Sequence, residues 1–130
     1  MTFFKGDLSQ MIVPIGGVLR DAMEAIDRGT RQIALVTDAS GVLVGVITDG
    51  DIRRKLLRVQ KPFSAFFVDD ALDHAILSPL TIAPGDTLVH AVHLMDEKHI
   101  WDLPVVDAAG VLVGLLHLHP AVEALLGIDD

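Results

Sequence analysis

The stretch GVITDGDIRR, which ends at Arg54, concentrates the side chains whose types and spacing could do chemistry. Thr48, Asp49 and Asp51 follow an apolar run and stand just before Arg53 and Arg54. The run predicts a buried strand, and the residues from Asp51 onward predict the start of a helix. A strand-to-helix turn offers backbone N–H groups to a phosphate, and a nearby carboxylate accepts hydrogen bonds from sugar hydroxyls. The pattern therefore permits a site for a phosphorylated sugar or nucleotide.

The same residues also have a purely structural explanation. Thr48 or Asp49 could cap the helix, and Asp51 could complement the positive end of its dipole, together contributing about 0.5–2 kcal/mol. The residues alone leave both the binding site and the empty capping turn open.

Length and charge limit the other classes of function. The 130 residues suffice for one domain, or for two very small units that share a core. Ten basic and 18 acidic residues give a formal net charge of −8, so we expect no nucleic-acid partner.

No apolar run approaches the roughly 20 residues that span a bilayer, and no secretory signal is recognisable at the N-terminus. We therefore expect a cytoplasmic protein with no membrane partner.

Hydrophobic residues make up 51% of the chain, and the mean hydropathy is +0.49. A small domain cannot easily bury so much apolar surface by itself. We therefore predict a homodimer, since twofold dimers are the commonest oligomers, with contacts through the helices that precede strand two and follow strand three.

The chain repeats itself. The stretch DASGVLVGVI that begins at Asp38 returns as DAAGVLVGLL from Asp107, an offset of 69 residues, which indicates two copies of one unit. Each copy is predicted to contain a short extended piece, a helix, two strands joined by a tight turn, and a second helix. We place the first repeat at residues 11–58, a connector at 59–79 and the second repeat at 80–127.

The connector has no counterpart in either repeat. We predict a short helix near residues 70–77. Its phenylalanines, Phe63, Phe66 and Phe67, either cover a face between the repeats or form an exposed docking patch of the kind that soluble monomers avoid. The sequence does not separate these alternatives.

A tandem repeat of this order, with Gly-apolar-apolar-Thr-x-x-Asp from Gly45 to Asp51 and LPVVD from Leu103 to Asp107, resembles the CBS domain pair, or Bateman module. Within that family, the stretch from Leu19 to Leu57 is most similar to the pair of bacterial sugar-1-phosphate nucleotidyltransferases. The stretch LVGLLHLHP is similar to the pair of arabinose-5-phosphate isomerases. The resemblance implies a mixed α/β (α+β) fold of two β-α-β-β-α repeats packed with pseudo-twofold symmetry.

The resemblance also implies a ligand, an adenine nucleotide. AMP, ADP or ATP is expected, ahead of S-adenosylmethionine. Asp51 would accept from the ribose hydroxyls, Thr48 would bond ribose or phosphate, the arginines would neutralise phosphate, and the adenine would lie between apolar strands. The implied site comprises Thr48, Asp49, Gly50, Asp51, Arg53, Arg54, Val13, Ile33 and Ala34.

The implied role is regulatory. We expect no catalytic activity, because no nucleophile and base stand at a spacing that would support it. The module would serve a sugar-phosphate nucleotidyltransferase or a related sugar-nucleotide enzyme, whose catalytic domain is not recognisable in these residues. The alternative is a structural or dimerisation module with vacant ligand clefts.

The second copy departs from the motif. His117 stands in the place of Thr48 and Pro120 in that of Asp51, and a proline cannot accept a ribose hydroxyl. We expect a degenerate second site, in which His117 could still contact a phosphate. The six histidines have no ligand spacing that predicts a metal site. Trp101 is expected to be buried at an interface between the copies and not to stack on a ligand.

Overall fold

The computed structural model describes residues 8–29, 31–58 and 60–127. The chain forms two compact units, which divide between Pro79 and Leu80. The connector therefore packs with the first repeat. No helix among the described residues combines the length and the apolarity that a membrane span requires.

The first unit is built around a three-stranded sheet in the order β1-β2-β3. The first two strands are parallel and the last two are antiparallel, as expected when a helix connects the first pair and a tight turn the second. Its elements are a 3₁₀ helix Leu8–Met11, β1 Ile12–Pro14, α1 Leu19–Gly29, β2 Ile33–Thr37, β3 Leu43–Thr48, α2 Asp49–Arg58, α3 Phe63–Phe67 and a second 3₁₀ helix Ala71–His74.

The second unit repeats this order with a shorter first strand. The piece that corresponds to β1 is a single bridge, in which Ile82 pairs in parallel with Val105. Pro79 and Pro84 flank that piece, and proline has no N–H with which to extend a ladder. The remaining elements are α4 Leu88–Lys98, β4 Asp102–Val106, β5 Leu112–His117 and α5 Leu118–Leu125. The predicted mixed α/β class is confirmed.

The turn between the antiparallel strands is the same in both repeats. The carboxylates of Asp38 and Asp107 each accept the backbone N–H groups two and four residues further on, at 2.9 and 3.0 Å. Gly41 and Gly110 follow in the left-handed region, with φ of 85° and 84°, where other residues are strained. The repeated letters of the sequence therefore encode one repeated turn.

The connector belongs to the core of the first unit. Phe66 is 1% exposed within that core, while Phe63 is 64% exposed and stacks on Phe67 with ring centroids 6.2 Å apart. The phenylalanines thus neither act as one cover nor form one patch. The helix α3 was not predicted, and the short helix expected near residues 70–77 is only the 3₁₀ helix Ala71–His74.

Ile76, in the connector, forms an antiparallel bridge with Val46 of β3, through N–O distances of 2.9 and 3.1 Å. This bridge lays the connector along the edge of the sheet, beside the helix α2 that follows β3. The connector therefore forms one wall of the region around the start of α2.

Candidate functional site

Thr48 and Asp51 hold the turn between β3 and α2 in a reciprocal pair. The Thr48 backbone N–H donates to Asp51 Oδ2 at 3.0 Å, and the Asp51 backbone N–H donates to Thr48 Oγ1 at 3.1 Å. Two N–H groups that would lack partners at a helix start are thereby satisfied, as in a capping box. The structure therefore contains the capping arrangement that explains the motif without a ligand.

The capping pair leaves hydrogen-bonding capacity unused. Asp51 Oδ1 accepts from Arg54 Nη2 at 2.6 Å, and the Asp51 side chain is 17% exposed. A carboxylate has about four acceptor positions, of which these contacts use two. The Thr48 hydroxyl accepts one bond, and its own proton has no acceptor among the described residues. The turn can therefore still accept from one group and donate to another.

The other polar residues of the motif are partly neutralised within α2. Arg53 Nε lies 3.8 Å from Asp49 Oδ2, and the Arg53 side chain is largely exposed while that of Asp49 is about half-buried. The Asp49 backbone N–H donates to the Gln32 carbonyl at 3.0 Å, which ties the helix start to the residue before β2. At Gly50, a Cβ would lie 3.2 Å from an Arg54 guanidinium nitrogen. The two arginines thus reach phosphate only by sharing or leaving their carboxylates.

The apolar residues expected to line an adenine site lie in the core. Val13, Ile33 and Ala34 are 1%, 3% and 0% exposed. Ile33 pairs directly with Thr48 across β2 and β3, so the sheet does bring these two predicted residues together. Side chains this deeply buried offer a base little surface, and an adenine beside them would rely on backbone groups. Their contact with a ligand remains a prediction.

In the second repeat, the start of the corresponding helix, α5, is formed by different residues. His117 is the N-cap of α5, but its side chain makes no capping hydrogen bond. Its Nδ1 lies 2.9 Å from Asp102 Oδ1, with the side chains 17% and 10% exposed. Pro120 stands three residues after the cap, where it has no N–H that needs a cap. His117 is therefore available to pair with Asp102.

Asp102 was missed by sequence reasoning, although the repeat contained the signal. Asp102 pairs with His117 across β4 and β5, as Ile33 pairs with Thr48 in the first unit. When the two repeats are aligned, the isoleucine–threonine pair of the first unit corresponds to the carboxylate–imidazole pair of the second. The expected burial of Trp101 is wrong, because this side chain is 69% exposed.

A second polar cluster, also missed, lies in the connector. Asp69 accepts from Lys61 Nζ at 2.8 Å through both oxygens and contacts His74 Nε2 at 2.8 Å. The hydrogen bond from Lys61, followed by that from His74, lowers the pKa of Asp69 below its usual value. His74 also packs on Phe66, with ring centroids 4.9 Å apart. This cluster fixes the second 3₁₀ helix to the rest of the connector.

The first unit contains a cleft of about 200 Å³ between α2 and the connector, which we call the α2–connector cleft. It includes Asp51 and Arg54 of the predicted site, and its other lining residues were not predicted from the sequence. Its lining consists of Asp51, Arg54, Lys55, Arg58, Asp73, His74, Ala75 and Ile76.

Comparison with known proteins gives a family match and a curated relative. The family model described as "CBS domain" matches residues 11–58 and 69–125. Arabinose 5-phosphate isomerase KdsD of Escherichia coli (strain K12) is 29% identical over 108 residues, which cover 82% of this chain. The matched region is 31% of that isomerase, so the chain spans about a third of the length of this relative.

Solved structures show the same fold. The structure of CBSX2 in complex with AMP has a TM-score of 0.78 and 30% identity, over 94% of this chain and 92% of that chain. CBSX2 is a CBS-pair protein from Arabidopsis thaliana. The CBS domain protein PAE2072 from Pyrobaculum aerophilum, complexed with AMP, has a TM-score of 0.75 and 22% identity, over 91% of this chain and 89% of that chain.

Proposed function

The chain belongs to the CBS-domain family, and we propose that it is a regulatory module that binds an adenine nucleotide at the turn between β3 and α2. The ligand would be AMP, ADP or ATP. The observation that carries this proposal is the Thr48–Asp51 pair, which fixes a carboxylate and a hydroxyl side by side and leaves each with unused capacity. A ribose, which presents two adjacent hydroxyls, is complementary to such a carboxylate.

The remaining motif residues have supporting roles in this proposal. Asp49 and Gly50 form the first turn of α2, where the positive end of the helix dipole favours phosphate. Arg53 and Arg54 would exchange part of their intrahelical pairing for phosphate contacts. The adenine would lie near Val13, Ile33 and Ala34 and be recognised through backbone groups.

The relatives support the ligand class and the biological setting. CBSX2, at 30% identity over nearly the whole chain, was solved in complex with AMP. The match to KdsD favours a regulatory role toward a sugar-phosphate enzyme. We propose an enzyme of sugar-nucleotide metabolism, of the isomerase or the nucleotidyltransferase type, as the regulated partner. The nucleotide can shift the equilibrium between two states of the module, and so change the activity of that enzyme, only as far as its affinity differs between those states.

A second candidate function, self-association, has its own observation. Leu57 near the end of α2 and Leu126 just after α5 occupy equivalent positions in the two repeats. Their exposed fractions are 87% and 67%, so both leucines are free to contribute apolar surface to a protein interface. We propose that these helix ends contribute to a homodimer contact, alone or together with nucleotide binding.

Calorimetric titration with adenosine, AMP, ADP and ATP tests the nucleotide proposal. Asp51→Asn should weaken binding about tenfold or more, because charge-assisted hydrogen bonds are worth roughly 1.5–3 kcal/mol. Asp21→Asn is the matched control, since Asp21 Oδ2 accepts the Val18 N–H at 2.9 Å in the same capping geometry on α1. Equal affinities in both variants, or no binding to the unmodified chain, would overturn the proposal.

A further inference from the structure

The α2–connector cleft has one wall made by a single helix face. Asp51, Arg54, Lys55 and Arg58 recur at intervals of three and four residues, so they lie along one side of α2. The opposite wall is formed by the connector from Asp73 to Ile76, which the bridge to Val46 holds against β3. All of these residues belong to the first unit. The cleft is therefore a feature of one compact unit.

The cations of this cleft, Arg54, Lys55 and Arg58, outnumber its carboxylates, Asp51 and Asp73. Asp51 and Arg54 neutralise each other at 2.6 Å. The side chains of Lys55 and Arg58 have no hydrogen bond or ion pair with any residue in the described part of the chain. They stand three residues apart on one helix, where like charges are unfavourable to each other. An anion placed between them would remove that repulsion and form charge-assisted hydrogen bonds.

His74 gives the connector wall a fixed polar group. Its side chain is only 7% exposed, and Nε2 contacts the Asp69 carboxylate at 2.8 Å. Because a carboxylate only accepts, the network assigns the proton to Nε2. The buried Nδ1 has no hydrogen-bond partner among the described residues. With the proton on Nε2, Nδ1 is an acceptor, which water or a ligand hydroxyl can satisfy but an ionised phosphate oxygen, itself an acceptor, cannot.

We propose that the α2–connector cleft binds the phosphate chain of a nucleoside di- or triphosphate. Asp51 lines both this cleft and the turn, so a ribose at Asp51 would direct its phosphates along α2 toward Arg58. The distance along the helix from Asp51 to Arg58 is about 10 Å, which suits a polyphosphate chain better than a single phosphate. This inference rests on the proposed nucleotide site and extends it, since it favours ATP or ADP over AMP.

The test compares four probes with and without the two unpaired cations. Adenosine, AMP, ATP and inorganic tripolyphosphate are titrated into the unmodified chain and into Lys55→Gln/Arg58→Gln. Both side chains reach the surface, so we expect the double variant to fold. Lys98→Gln is the control for the loss of a cation outside the cleft, because Lys98 lies on α4 in the other unit and contacts Glu97 at 3.8 Å.

We expect the double variant to bind ATP and tripolyphosphate about tenfold or more weakly, with adenosine affinity unchanged. The control should leave all four affinities unchanged. Tripolyphosphate should also shift the imidazole NMR signals of His74, whose ring lines the cleft. A loss confined to polyphosphate ligands and a His74 shift would together support the proposal.

Two outcomes separate this inference from the nucleotide proposal. Nucleotide binding that depends on Asp51 but is equally strong for AMP and ATP, and insensitive to Lys55→Gln/Arg58→Gln, would overturn the cleft and keep the nucleotide site. Tripolyphosphate binding that depends on Lys55 and Arg58, without any binding of adenosine or AMP, would overturn the nucleotide site and leave only an anion cleft. If tripolyphosphate does not bind, the cleft proposal is wrong.

Discussion

The hydroxyl of Thr48 accepts the backbone N–H of Asp51, while the carboxylate of Asp51 accepts the backbone N–H of Thr48. Thr48→Ala should therefore lower the free energy of unfolding by about 0.5–2 kcal/mol, since an N-cap is lost. Thr48→Ser, which keeps the hydroxyl, should restore most of that stability. Urea denaturation measures both, and a Thr48→Ala variant as stable as the unmodified chain would contradict the prediction.

The same pair of hydrogen bonds predicts that Asp51→Ala lowers the stability of the chain. A carboxylate that acts only through the helix dipole contributes about 0.3–1 kcal/mol. Asp51 also accepts the partly buried backbone N–H of Thr48 and pairs with Arg54. Its removal should therefore lower the stability of the chain and also weaken any nucleotide complex. For this reason Asp51→Asn, which keeps the shape of the side chain, is the better variant for measuring affinity.

Asp69 predicts a loss of stability in acid. Its hydrogen bonds to Lys61 and His74 lower its pKa in the folded chain below the value in the unfolded chain. The stabilisation is therefore fully present above about pH 4, the unfolded pKa, and is lost as the pH falls through the lower folded pKa. We expect the difference in unfolding free energy between the unmodified chain and Asp69→Asn to shrink across that range.

Asp27→Asn is the control for this pH series. Asp27 is an exposed carboxylate on α1, so its removal reports the effect of net charge alone. Urea denaturation at a series of pH values from about 6 down to 3 measures both variants. A stability difference for Asp69→Asn that stays constant over this range would count against the Asp69 network.

The sequence predicted the repeated fold well because its determinants are local. The aspartate and glycine of each turn, and the apolar strand before α2, act within a few residues. The roles of Asp69 and Asp102 could not be predicted in this way. Each depends on a partner that the fold brings close: His74 and Lys61 for Asp69, and His117 for Asp102.

The residues of the candidate site also divide into those that the sequence could predict and those whose roles depend on the fold. The neighbouring pair Thr48 and Asp51 was visible as a motif, but the motif letters could not show that the two residues cap each other. The α2–connector cleft was not visible, because Lys55 and Arg58 resemble an ordinary solvated helix face. Only the position of the connector, set by the bridge between Val46 and Ile76, turns that face into a wall.

Gly45 is predicted to be required where the connector meets β3. A Cβ at this residue would lie 3.1 Å from Ala75 Cβ and 3.3 Å from both the Ile76 carbonyl oxygen and a Leu72 methyl group. Gly45→Val should therefore destabilise the chain by about 1–3 kcal/mol through overpacking. Gly85→Ala is the control, because a Cβ there meets nothing within 4 Å. Thermal unfolding that ranks the two variants equally would contradict this assignment.

Leu57 and Leu126 predict a change of oligomeric state. Leu57→Lys/Leu126→Lys should shift the chain toward the monomer, because two ammonium groups would replace exposed apolar surface at the proposed contact. Val113→Lys adds a charge at another exposed apolar residue, 47% exposed on β5, and should leave the oligomer intact. Sedimentation velocity measures all three chains, and an unmodified chain that sediments as a monomer at high micromolar concentration would end the homodimer proposal.

The second repeat allows the capping pair to be rebuilt. Pro120→Asp alone should restore only half of it, because the His117 side chain remains paired with Asp102 at 2.9 Å and cannot cap the new N–H. His117→Thr removes that pairing but leaves the Asp102 carboxylate, 10% exposed, without its imidazole partner. Asp102→Ile supplies the residue that pairs with threonine in the first unit, so it provides the right background for both changes.

In that background, His117→Thr and Pro120→Asp should stabilise the chain more together than the sum of their separate effects. A coupling of about 0.5–3 kcal/mol is expected when each residue supplies the partner of the other. Urea denaturation of the four chains of the double-mutant cycle measures it. Because the new carboxylate and hydroxyl would reproduce the Thr48–Asp51 arrangement, the triple variant should also gain affinity for adenosine at a second site. A coupling of zero would mean that the reciprocal pair depends on surroundings that the first repeat has and the second lacks.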